Sequence, residues 1–145
     1  MIPFENILVP TDFSEPSEKA VALAVSLAQR FDAKLTLLHV YELPPVYGYG
    51  EALSWPAEDY ERAAQRALDD ALASLKQLYP RAEGLLDVGR AGDRILALAR
   101  LKNFDLIVMG THGRRGIARV FGSVAEKIVR RSPVPVLTVG AREGD

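Results

Sequence analysis

"FDLIVMGTHGRRGIARVFGSVAEKIVRRSPVPVLTV", residues 104–139, is the stretch whose reading decides the fold. Phe104 to Met109 form a short apolar run with the length of a buried strand. A loop containing Gly110, Gly113 and Gly122 follows, and after Ser123 "VAEKIVRRS" reads as a short helix. Val134 to Val139, "VPVLTV", then reads as a last strand.

The same alternation continues upstream. "NILVPTD" from Asn6 holds an apolar run, Ile7 to Val9, that stops at Pro10. "SEPSEKAVALAVSLAQRFDA" places Ala20, Ala22, Leu23, Val25, Leu27 and Ala28 on a broad apolar face, with Ser14 as a cap and Pro16 in the first turn. Lys34 to Tyr41 is a second strand. Glu42 to Asp59, with three prolines and two glycines, is an irregular excursion. A helix from about Ala57 to Leu78 follows, with Tyr60, Ala64, Leu68, Ala71, Leu75 and Leu78 along one side. Gly84 to Gly89 is a third strand, and "AGDRILALARLKN" a third helix capped by Asp93 and ending at Asn103.

Five strands alternating with four helices predict an α/β fold: one domain over 1–145, an open parallel sheet with helices on both faces. With right-handed crossovers, an outward winding of the first three strands and a return of the fourth beside the first, the order is 3-2-1-4-5. Such a sheet binds ligands at the switch point, beyond the carboxyl ends of strands one and four. Pro10, Thr11 and Asp12 leave one of those ends, and Met109, Gly110 and Thr111 leave the other.

Phosphate binding needs backbone N–H groups converging on an anion, and glycine permits the close approach. Gly110 and Gly113 are placed to turn the chain, and Gly122 and Ser123 open a helix whose first amides carry positive potential. Arg114 and Arg115 are candidates for terminal phosphates, and His112 lies in the same loop. A second reading needs no ligand, since "SVAE", Ser123 to Glu126, has capping-box spacing. Asp12 is placed either to bond a base or ribose or to cap the first helix. Val40 would wall a base or simply pack in its strand, and His39 reads as a satisfied core histidine. Neither G-x-x-x-x-G-K-[ST] nor a G-x-G-x-x-G after the first strand occurs, so the standard P-loop and the dinucleotide fingerprint are excluded.

The 18 basic and 19 acidic residues nearly cancel, so no global field recruits nucleic acid or an acidic membrane surface. The absence of cysteine excludes disulfides, thiolate metal ligation and a cysteine nucleophile. The N-terminus lacks the pattern of a signal peptide and no apolar run approaches a bilayer span, so the expected location is cytoplasmic. No metal cluster is expected from two histidines.

Taken together, "ILVPTDFSEPSEKAV", "LTLLHVYE" and the 105–139 stretch resemble the universal stress protein family over nearly the whole chain. The resemblance implies a Rossmann-like sheet of the adenine nucleotide alpha hydrolase-like type, dimerisation and, in one branch, ATP held by the glycine loop; Mg is expected with it because it commonly accompanies ATP phosphates. By position it assigns Asp12 and Val40 to the adenosine part, and Met109, Gly110, Gly113, Gly122, Ser123 and Val124 to ribose and phosphates. The family spacing has nine residues before the last glycine, whereas Arg114 to Phe121 are eight. Antiparallel pairing of two copies through Val134 to Val139 would cover the apolar edge strand. The expected function is a nucleotide-responsive dimeric stress protein with no dedicated catalytic base. The competing expectations are a nucleotide-independent dimer and a slow ATP-hydrolysing enzyme of the same fold.

Overall fold

The computed structural model describes residues 3–45, 56–112 and 122–140. Its elements are β1 (Asn6–Pro10), α1 (Glu15–Phe31), β2 (Lys34–Tyr41), α2 (Ala57–Leu78), β3 (Glu83–Val88), α3 (Ala91–Leu101), β4 (Leu106–Gly110), α4 (Ser123–Arg131) and β5 (Val136–Val139). All four strand pairings are parallel, in the order β3-β2-β1-β4-β5. The expected sheet and its order are therefore present.

The period of two along the strands sorts their side chains into two layers. Ile7, Val9, Leu35, Leu37, Leu106 and Val108 face α1 and α2, in a core completed by Val25, Leu68 and Leu75. Leu8, Leu38, Ile107 and Met109 face the other way, against Ile95 and Leu98 of α3 and Ala125 and Ile128 of α4. Ala20, Ala24 and Ala28, one turn apart and fully buried, let α1 lie close to the sheet. Burial on both faces explains why the central strands are continuously apolar rather than alternating.

Local chemistry sets the helix ends. Ser14 is the N-cap of α1 and its side chain accepts from Ser17 N–H, with proline in the first turn, as its sequence suggests. At the other end Asp32 takes the left-handed conformation, φ 56°, and its N–H reaches Ala28 O. Tyr79 O–H donates to the Ala33 carbonyl at 2.6 Å, tying the end of α2 to the start of β2.

Several expected boundaries move. Asp93 does not cap α3: Arg90 is the N-cap, and Asp93 sits in the first turn, paired with Lys127 of α4. That ion pair joins neighbouring helices, a partner that no spacing within α3 reveals. α3 ends at Leu101 rather than Asn103, whose φ of 56° is incompatible with a continuing helix. On α2 the apolar stripe drifts, so Leu78 is 62% exposed and Leu72 packs instead. Ala22 of α1 is exposed. The last strand begins at Val136, not Val134, because Ser132 Oγ holds a turn by donating to Val134 O and accepting from Val134 N–H.

The Asp93–Lys127 pair has a defined pH signature. The hydrogen bond from Lys127 and then its charge hold the Asp93 carboxyl below its ordinary 3.8, against a smaller opposing effect of burial. A depressed folded-state value adds stability that is complete above the unfolded value and is lost as pH falls through the folded one. Asp93→Asn is therefore expected to be slightly less stable than wild type at neutral pH, with the difference shrinking below pH 3.8. Urea unfolding of both proteins at neutral and acidic pH measures this. The effect is small because both side chains are partly in solvent.

Candidate functional site

The crevice originates in a missing proton. Successive amides of a strand point to opposite neighbours, and Thr11 N–H donates to Leu38 O on β2 at 2.8 Å. The nitrogen of Pro10 therefore faces β4 and carries no hydrogen. The paired register of β1 with β4 stops at Leu8 with Ile107, while β1 stays paired with β2 through Pro10 with Leu38. The two central strands part at their carboxyl ends, at the switch point.

Beyond Pro10 the chain is locked by short-range bonds. Thr11 Oγ1 accepts from Phe13 N–H at 3.0 Å, and Phe13 adopts φ 65°. Asp12 Oδ1 accepts from Ser14 N–H at 3.0 Å and from Ser17 O–H at 2.6 Å. Behind this turn, His39 Nδ1 donates to the Thr11 carbonyl at 3.0 Å, since a carbonyl oxygen only accepts. The His39 ring packs on Phe13 at 4.5 Å between centroids. His39 Nδ1 is thus satisfied within the protein, but the residue is half-buried at the crevice end of β2 rather than a core side chain. Asp12 braces the turn before α1, and Ser14 is the residue that caps the helix.

Across the crevice, Gly110 ends β4 where α1 passes over it. A Cβ at Gly110 would lie 2.8 Å from Pro16 Cβ and 3.0 Å from the Pro16 carbonyl carbon. The glycine is needed for that approach. Gly122 meets a milder constraint, with a Cβ there 3.3 Å from His112 Cα. Its N–H donates to Thr111 O at 2.7 Å, so this amide is already used. Gly122 is also the N-cap of α4, without a side chain to satisfy the first turn, and Ser123 is the first helical residue. Ser123 therefore does not play the N-cap of a capping box. The first intrahelical bond runs from Glu126 N–H to Gly122 O, which leaves the amides of Ser123, Val124 and Ala125 ahead of it. His112 Nδ1 lies 3.0 Å from Thr111 Oγ1.

These groups surround one cavity of about 410 Å³. Pro10, Thr11, Asp12, Val40, Met109, Gly110, His112, Gly122, Ser123 and Val124 all line it, drawn from four separate parts of the chain. Gly113, Arg114 and Arg115 lie outside the described residues, as do residues 46–55 of the excursion. Five further lining residues were not singled out from sequence: Ser17, Leu38, Ala91, Ile95 and Ala125. Leu38 and Ile95 look like ordinary core residues in their own segments. Ser17 carried a signal in its position three residues after Ser14, at the start of a helix leaving the switch point.

The cavity has two chemically distinct ends. Leu38, Val40 and Ile95 supply apolar surface. On the β4 side the first turn of α4 supplies amides and the positive end of its dipole. An apolar wall on the β2 side and the first turn of a helix on the β4 side suit a ligand with a flat heterocycle at one end and an anion at the other. Among the described residues, no group of three or more histidine, aspartate or glutamate side chains is placed to hold a metal. Among the described residues, Asp12 is the carboxylate that lines the cavity.

The fold and site define a doubly wound α/β protein with a ligand-sized crevice at its switch point. The chain belongs to the Universal stress protein family, whose sequence profile matches residues 3–140. It is 37% identical over 141 residues to a universal stress protein of Thermus aquaticus, covering 94% of this chain and 98% of the relative. The solved universal stress protein UspA of Lactobacillus plantarum superposes with a TM-score of 0.83 at 28% identity, over 96% of this chain and 99% of the other. A universal stress protein solved in complex with cAMP has a TM-score of 0.68 at 31% identity, over 95% and 98% of the two chains. No helix among the described residues is long and apolar enough to cross a membrane.

Proposed function

We propose that this protein binds ATP, accompanied by Mg, in the switch-point crevice and acts as a nucleotide-responsive dimeric stress protein in the cytoplasm. The observation that carries the reading is the cavity of about 410 Å³ with an apolar wall at Val40 and the first turn of α4 opposite it. The structural relative that holds cAMP supports an adenine nucleotide as the ligand class. In this reading the base lies against Leu38 and Val40, Asp12 meets the adenosine part, and the amides of Ser123 and Val124 meet phosphate oxygens. Gly113 and Arg114 would complete the phosphate side. Two copies would pair through β5, whose Leu137 is 38% exposed on a strand hydrogen-bonded only to β4 among the described residues. The whole chain would then act as one domain.

Isothermal titration of nucleotide-stripped protein with MgATP, with light scattering on the same sample, tests this. The expected result is micromolar binding by a dimer with slow or no turnover. No heat from a folded protein would assign the glycines to a turn, and a monomer would remove the β5 interface. Steady hydrolysis on the order of ten per second would make it an enzyme instead.

A further inference from the structure

We infer that Ser17 is a positioning residue that sets the site's preference for a purine bearing an amino group, acting through Asp12. The inference rests on the nucleotide reading above and concerns how the base is chosen. Ser17 is only 6% exposed, yet it lines the cavity from the first turn of α1. Its hydroxyl donates to Asp12 Oδ1 at 2.6 Å, accepts from Asp12 N–H at 3.3 Å and lies 3.1 Å from Ser14 Oγ. Ser14 N–H reaches the same carboxylate oxygen at 3.0 Å. One side chain therefore grips Asp12 by both its backbone and its carboxylate. Ser14 caps the helix that carries Ser17, so the grip is itself held in place.

The location gives this grip a chemical meaning. Asp12 follows Pro10 and Thr11, which remain bonded to β2 at Leu38, beside the apolar wall of Leu38 and Val40. The α4 amides belong to the β4 side. Asp12 thus stands at the end where a heterocycle would lie. An ionised carboxylate only accepts hydrogen bonds. Held in one orientation, it favours a ring donor such as an amino group and disfavours a carbonyl oxygen at the same place. With the Ser17 hydroxyl removed and the Ser14 N–H bond kept, the carboxylate is held less firmly, can turn from the carbonyl and loses part of that discrimination.

The probes are ATP and inosine triphosphate, which carries a carbonyl where adenine carries its amino group. Wild type is expected to prefer ATP, and Ser17→Ala to lower the ATP-to-ITP affinity ratio about tenfold, the scale of one hydrogen bond to a charged group. A general loosening of α1 would weaken both ligands together and leave the ratio unchanged. That result, or a wild type that does not distinguish the two, overturns the inference while the nucleotide reading stands. Failure of the folded wild type to bind either nucleotide overturns both.

Discussion

Ile107→Ala is expected to cost about 4 kcal/mol of folding stability, near the upper part of the range for a fully buried large aliphatic residue. Ile107 has no exposed surface and lies in β4, paired with Leu8 of β1 on one side and Val136 of β5 on the other. Its side chain belongs to the layer formed by Ile95, Leu98, Ala125 and Ile128. Truncation removes apolar contacts and leaves a cavity between two helices and a sheet, where the strand ladders resist collapse. Urea denaturation gives the difference directly, and the thermal midpoint is expected to fall by about 10 °C. A loss below about 1 kcal/mol would mean that α3 and α4 close over the gap, against the packing described.

Gly110→Val is expected to be comparably severe, at about 3 kcal/mol, and to damage the crevice as well as the fold. The added Cβ would meet Pro16 Cβ at 2.8 Å and the Pro16 backbone at 3.0 and 3.2 Å. These are not atoms of a flexible side-chain end. Proline fixes its own backbone, and the capped first turn of α1 resists bending. The turn must lift as a unit, carrying Ser17 and displacing Asp12. Gly140→Ala is the matched control. A Cβ there would meet Thr111 Oγ1 at an ordinary 3.5 Å, so the change is expected within about 0.5 kcal/mol of neutral. Denaturation of the two variants, followed by nucleotide titration where Gly110→Val is still folded, measures both effects. Equal stability of the two would show that α1 yields freely.

Much of the architecture was legible because it is written in local periodicity. Short runs such as Ile7 to Val9 and Leu106 to Met109 are too brief for helices, and α2 spans Ala57–Leu78 as its pattern indicates. Alternation of such elements, combined with chiral crossovers, leads to the observed strand order. Helix termini were less legible. Ser14 caps α1, but Asp93 is drawn to Lys127 on another helix, and Gly122 rather than Ser123 occupies the N-cap of α4. Capping depends on which residue leaves helical dihedrals first, and a residue type states only a preference.

The sequence by itself determined the parallel sheet and the two strand ends between which a ligand would lie, since both follow from hydrophobic period and chain order, and its motifs carried the resemblance to the family. It also named ten residues that now line one cavity. Tertiary structure alone decided what those residues are free to do. The Gly122 amide is spent on Thr111 O, Gly110 is required by the crossing of Pro16, and Ser17 holds Asp12. Ile95 and Ala91 enter the cavity from α3, far from its glycine loop in sequence. Such facts arise when segments distant along the chain meet, where close packing and the requirement to pair buried polar groups select among roles that each residue type permits.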